Sequence, residues 1–150
     1  MSTPVQSPAQ ALPRLTAALA AGRPCRLTVT GNSMVPFLRH HEDVVWLERA
    51  AAPFRRGDIL LYLRGTDTPI LHRVHRVERD GRLLMCGDAQ RALEPIDPQQ
   101  VLARVTHIER GGKKRSCAAP LSRLGVELWL LLRPVRRYIL GVLRRCGLLK

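Results

Sequence analysis

One serine stands where a nucleophile would be presented. Ser33 lies in Gly31-Asn32-Ser33-Met34-Val35-Pro36-Phe37-Leu38, directly after residues 25–30 (CRLTVT), whose alternation and β-branched residues predict a strand. A serine hydroxyl attacks well only when a neighbouring base takes its proton, and a neutral imidazole suits that task near pH 7. The chain has five histidines. His72 and His75 fall on one predicted strand, 70–78, but on opposite faces, so a single site can use only one of them. His40 and His41 form a polar pair in a loop, where exposure to solvent is a simpler expectation than metal binding; His107 reads as strand surface. Taken singly, Ser33 could cap a turn and His72 could be a satisfied strand residue. Their order along the chain gives them weight.

That order is GNSMVPFL, then RRGDILLYL, then Leu71-His72-Arg73-Val74, then Cys86-Gly87-Asp88-Ala89. The set resembles the signal peptidase and LexA-type serine peptidase superfamily over residues 24–109. The resemblance implies a compact, mainly β fold, a nucleophile at Ser33 and a base from a later strand. Two branches differ in that base, one using lysine and the other the histidine of a His-Arg-Val stretch. The only lysines here are 113, 114 and 150, outside the predicted strands, so the likeness is to the histidine branch and the base is His72. The Gly-Asp box then makes Asp88 the expected third member, with Asp97 as a second candidate. Main-chain N–H groups near Ser33 are expected to stabilise the oxyanion. Met34 and Pro36 would shape the serine turn, and Asp58 would hold a turn through an Asx-type hydrogen bond. His41-Glu42-Asp43 stands where the family often has Gly-Asp, and no transmembrane anchor is expected before the serine.

The elements that must position these residues follow from the pattern. Strands are expected at 25–30, 43–48, 59–64, 70–78, 83–86 and 101–109, with a hairpin turn at Arg79-Asp80-Gly81-Arg82. Residues 9–21 suit a short helix after Pro13, ended by Gly22 and Pro24. The organisation reads as a lead-in and helix at 1–23, a catalytic core at 24–110, a basic linker at 111–119 and a helical segment at 120–150.

The net charge of +13 is unevenly placed. Residues 110–150 hold eleven basic residues and one acidic, a net of +10, which directs that end toward an anionic surface. Its uncharged runs, 128–132 and 138–143, are far too short to cross a bilayer. On a helical wheel Arg123, Glu127, Arg133, Arg137, Arg144 and Arg145 fall within about a third of the circumference, opposite Leu124, Leu128, Leu131, Leu132, Val135, Ile139 and Val142. Arg136 lies off the polar arc, and Pro134 is expected to kink or divide the helix. With Trp129 and Tyr138 at interfacial depth, the expected partner of 120–150 is an anionic membrane surface, with packing on the β body or another subunit as the alternative. Nucleic acid is disfavoured: aromatic content is 4%, and such a tail needs no leucine stripe. Cys25, Cys86, Cys117 and Cys146 are widely spaced, without CxxC pairs, so neither disulfides nor zinc are expected. Without a secretory signal, the expected location is cytoplasmic or peripheral to a membrane.

Three functional classes remain open at this level. The first is a serine endopeptidase acting on a peptide or leader segment through Ser33, His72 and Asp88, with no metal or organic cofactor. The second is a LexA-like regulator that cleaves itself. The third is a non-catalytic membrane- or partner-binding module on the same fold.

Overall fold

Strands that alternate in hydropathy must find cover for one face, and a strand apolar on both faces must find cover for two. The computed structural model describes residues 8–149. In chain order, α1 spans Pro8–Ala20, β1 Cys25–Thr28, β2 Asp43–Arg49, β3 Ile59–Arg64, β4 Thr68–Val77, β5 Leu83–Cys86, β6 Glu94–Ile96, β7 Val101–Arg110 and β8 Lys113–Ser116, followed by α2 at Pro120–Leu131 and α3 at Arg136–Arg145. The architecture is mainly β, an open antiparallel eight-stranded sheet in the order β1-β2-β7-β3-β4-β5-β6, with β8 paired on β7.

The central strand β3 is buried on both sides. Ile59 and Leu61 join a core with Leu27, Val45, Leu47 and Val105, while Leu60 and Tyr62 join a second core with Val74, Leu83, Met85 and Ile96. The helix α1 covers the first core through Leu15 and Leu19, four residues apart and therefore on one helical face. It starts before Pro13 rather than after it, and Pro13 sits inside it. It ends where expected. Gly22 adopts φ +69°, letting Arg23 N–H reach Ala18 O (2.9 Å) and Gly22 N–H reach Leu19 O (3.0 Å), the paired bonds of a Schellman cap. The polar lead-in expected at 1–7 lies outside the described residues.

Two expected boundaries move. β1 stops at Thr28 instead of residue 30, and the basic linker at 111–119 contains the strand β8, which pairs from Arg110↔Lys113 to His107↔Ser116. Pro134 divides the C-terminal helix as expected, with one 3₁₀ turn at Arg133–Val135 between α2 and α3. This helical pair packs on the serine turn: Trp129, Leu140 and Leu149 form a third core with Val35. Trp129 is therefore interior and does not sit at an exposed interface. Arg136, off the polar arc on the wheel, is 1% exposed and donates to the carbonyls of Trp129, Gly87 and Gln90. No described helix is long and apolar enough to cross a membrane.

If α1 is an integral part of the first core, Leu19→Ala should lower unfolding free energy by about 2–5 kcal/mol in chemical denaturation. A loss near zero would make the helix a dispensable lead-in.

Candidate active site

The serine turn is rooted on three sides. Met34 and Leu38 enter the first core and Val35 the third, so the turn is anchored just after Ser33 while Ser33 itself is only partly covered. The turn is closed by His40, whose Nδ1 accepts the Gly31 N–H at 2.8 Å. Its far end is fixed by buried Asp43, which accepts from Arg39 N–H (2.8 Å) and from Arg110 Nε and an NH2 nitrogen, both at 2.6 Å. His40 is exposed in its loop, as expected, and one of its ring nitrogens also holds the turn. The Ser33 hydroxyl makes no hydrogen bond among the described residues, so it caps nothing. The Ser33 and Met34 N–H groups likewise meet no acceptor among them.

His72 is placed by strand register. Leu60 lies opposite His72 across β3 and β4, and Tyr62 lies opposite Ile70. Tyr62 is therefore the diagonal neighbour of His72 on the same face, within reach of an aromatic side chain. Its hydroxyl is 3.3 Å from His72 Nδ1 and donates to Glu94 Oε2 at 2.7 Å. Arg64, two residues along β3, donates its Nε to Glu94 Oε1 at 2.7 Å. The proton order follows. The Arg64 hydrogen bond holds the Glu94 carboxyl below its usual range, so it only accepts. Burial and the Glu94 hydrogen bond push the Tyr62 phenol well up, so it keeps its single proton and commits it to Glu94. The contact with His72 is then Nδ1–H donating to the Tyr62 oxygen, which leaves Nε2 as the free base. This tautomer is inferred from the network. Nε2 has no partner among the described residues and is not among the atoms sealed in the interior. Burial pulls the His72 pKa below 6.5, against the opposing pull of Glu94, which favours the neutral imidazole a base requires.

Ser33 and His72 line one cavity of about 130 Å³, walled by Thr28 and Thr30 on one side and Ile70 and Leu71 on the other. No hydrogen bond joins them directly.

The two carboxylates expected as third members are engaged elsewhere. Both oxygens of Asp88 accept from Arg73, from Nε at 2.8 Å and an NH2 nitrogen at 2.7 Å, and neither meets the imidazole. Asp97 caps the 3₁₀ turn Pro98–Gln100, accepting from Gln99 N–H at 2.8 Å. Asp58 does hold its turn, accepting the Arg55 N–H at 2.9 Å. His75 is the extra residue of a bulge between Val74 and Arg76, and His107 bonds Thr106. No cluster of metal-ligating side chains occurs among the described residues, whose four cysteines are free thiols.

Arg73 ties the three motifs together. Besides Asp88 it donates to Gly57 O at 2.9 Å and lies over the Phe37 ring at 4.9 Å. Gly87 completes the junction. Its neighbour Ala89 donates to Ser33 O at 2.8 Å, and a Cβ on Gly87 would stand 2.6 Å from that same oxygen. Sequence reasoning missed Tyr62, Glu94 and His40. For Tyr62 the signal was available once register was set, because it sits two residues from the partner of His72. Glu94 had none, since its short strand carries no alternation.

No family model, no curated protein and no solved structure gave a match to this chain.

Removing one partner of the buried Arg73–Asp88 pair strands the other charge. Asp88→Ala should therefore cost about 3–5 kcal/mol in denaturant unfolding. Gly87→Ala should also destabilise, because the obstacle is backbone and cannot rotate away. Unchanged midpoints in both variants would remove the junction from the account.

Proposed function

We propose that this chain is a serine endopeptidase of the signal-peptidase type, with Ser33 as nucleophile, His72 as general base and Tyr62–Glu94 as the group that orients the imidazole. The observation that carries the reading is the proton order around His72: the Tyr62–Glu94 relay takes up Nδ1 and leaves Nε2 without a partner among the described residues, in a residue that lines the same cavity as an unengaged serine. A strand histidine with a merely structural role has no need of that arrangement.

The chemistry runs without a metal or organic cofactor. His72 Nε2 takes the Ser33 proton as Oγ bonds to the substrate carbonyl carbon, and the carbonyl electrons move onto oxygen. The free N–H groups of Ser33 and Met34 are the nearest main-chain donors for that oxyanion. Nε2–H then protonates the leaving amine as the C–N bond breaks. A water, deprotonated by the same nitrogen, attacks the acyl-enzyme and restores Ser33. The imidazolium formed midway is stabilised by the Glu94 charge acting through Tyr62.

The substrate is proposed to be an extended peptide. β1 is the edge of the sheet, and β5 pairs with β4 only from Arg73 onward, so the main chain of 69–72 is unpaired on that side. Both strands flank the cavity, and a peptide laid between them gains main-chain hydrogen bonds to either one.

A fluorophosphonate probe should label Ser33 stoichiometrically, and Ser33→Ala should abolish labelling with an unchanged circular-dichroism spectrum. Absence of labelling in the folded wild type would leave only a non-catalytic module. Tyr62→Phe and Glu94→Gln should slow labelling about 10- to 100-fold, part of what positioned base catalysis supplies. The acid limb of the labelling rate should lie at lower pH than an ordinary imidazole would give, because burial depresses the His72 pKa. The linked stability has the same sign. The unfolded imidazole binds a proton the folded site refuses, so stability is full above 6.5 and declines as pH falls through the folded pKa. In Tyr62→Phe the acid limb should shift, whereas a purely structural role for Tyr62 would leave the limb in place.

A further inference from the structure

The helix α2 is apolar on two sides, and only one of them is covered. Trp129 and Leu130 face the body and are buried. Leu121, Leu124, Leu128, Leu131 and Leu132 are exposed, from 41% at Leu132 to 84% at Leu121. At helical spacing these five fall within an arc of about 100°, a continuous stripe along the outer side. Val135, Tyr138 and Val142 extend the exposed apolar set into α3, at 42%, 60% and 58%. Monomeric proteins rarely leave such a stripe bare.

The charges beside the stripe identify its occupant. Arg137, Arg144 and Arg145 are exposed, and none of them meets a carboxylate among the described residues. Among the described residues Arg133 donates only to the carbonyl of Arg91. The one acid of the segment, Glu127, is paired with Arg56 at 3.0 Å. A second copy would bring the same arginines against themselves across a two-fold interface. An anionic bilayer brings phosphates to them and takes the leucines into its acyl boundary.

We propose that the outer face of α2 and α3 docks on an anionic lipid bilayer, lying in its interface without crossing it. The inner side of the same helices holds the serine turn. Trp129 donates its indole N–H to Asp88 O at 2.9 Å and meets Phe37 edge-on at 6.0 Å. Docking therefore fixes the Ser33 cavity relative to the membrane surface. The docking itself stands independently of the peptidase reading.

The test is flotation of the full chain with vesicles of phosphatidylcholine, alone or mixed with phosphatidylglycerol. The wild type should float with the mixed vesicles and poorly with phosphatidylcholine alone, and added salt should weaken binding. The exposed triple Leu124→Ser, Leu128→Ser, Leu131→Ser should lose flotation while keeping the wild-type circular-dichroism spectrum. Each of Arg137→Ala, Arg144→Ala and Arg145→Ala should weaken binding about fivefold. Ser33→Ala should bind as the wild type does, so an inactive protein and an undocked one are told apart. Failure of the wild type to float, or unchanged flotation of the leucine triple, overturns the proposal. A concentration-dependent dimer in sedimentation that Leu128→Ser disperses also overturns it, in favour of a second copy.

Discussion

The buried ion pair between Arg73 and Asp88 is the constraint on which the site is built. Arg73 is 3% exposed and Asp88 1%, so each charge depends on the other for solvation. The pair joins strand β4, which carries His72, to the Gly87-Asp88-Ala89 loop, whose main chain holds the carbonyl of Ser33. Phe37, four residues past the serine, lies under the guanidinium. Three segments far apart in sequence are thereby fixed in one arrangement by one side chain. The planar guanidinium makes this possible, because it donates along two edges and stacks on its face at once. Lysine at this position would offer a single point charge and could not do all three.

That arrangement explains a division of labour between two carboxylates. Asp88 is committed to structure, and Glu94 is left to act on His72 through the phenol of Tyr62. The interposed phenol has a physical consequence. A carboxylate in direct contact with the imidazole would raise its pKa strongly, whereas at one remove its pull is smaller than the desolvation of the buried ring. The imidazole stays neutral, the proton on Nδ1 stays in place, and the basic nitrogen stays available. Arg64 supports this by holding Glu94 ionised.

The sequence made the sheet legible and the relay only in part. Alternation located β3, β4, β5 and β7 closely, because each has a face that must be buried, and it missed β6 and β8 because three residues around a proline, or four polar ones, carry no period. The order of the serine, His-Arg-Val and Gly-Asp motifs brought attention to Ser33, His72 and Asp88, and the first two do share a cavity. Motif order says nothing of which atom a carboxylate meets. Asp88 sits beside the right strand, but the residue it reaches is Arg73, on the other face from His72, as a period of two requires of adjacent residues. Glu94 reaches the histidine only through a side chain on a third strand, a contact that depends on register and curvature together.

The C-terminal segment shows the same limit in another form. A wheel drawn over 120–150 sorts residues into one polar and one apolar arc, as though the segment had a single neighbour. The folded chain gives it two. Trp129, Leu130, Arg136 and Leu140 turn inward, so an arginine is interior while a row of leucines is not. Arg136 is tolerated there because several carbonyls, those of Trp129, Gly87 and Gln90 among them, satisfy its donors without a counter-charge. Those contacts fasten the helices to the loop that carries Gly87, and that loop in turn holds Ser33. The outer leucines have no such use within the fold. Their spacing is regular and their neighbours are cationic, which is the ground on which a surface apolar in depth and negative at its boundary is proposed for them. Among common biological surfaces, an anionic bilayer combines those two properties over the length of a helix.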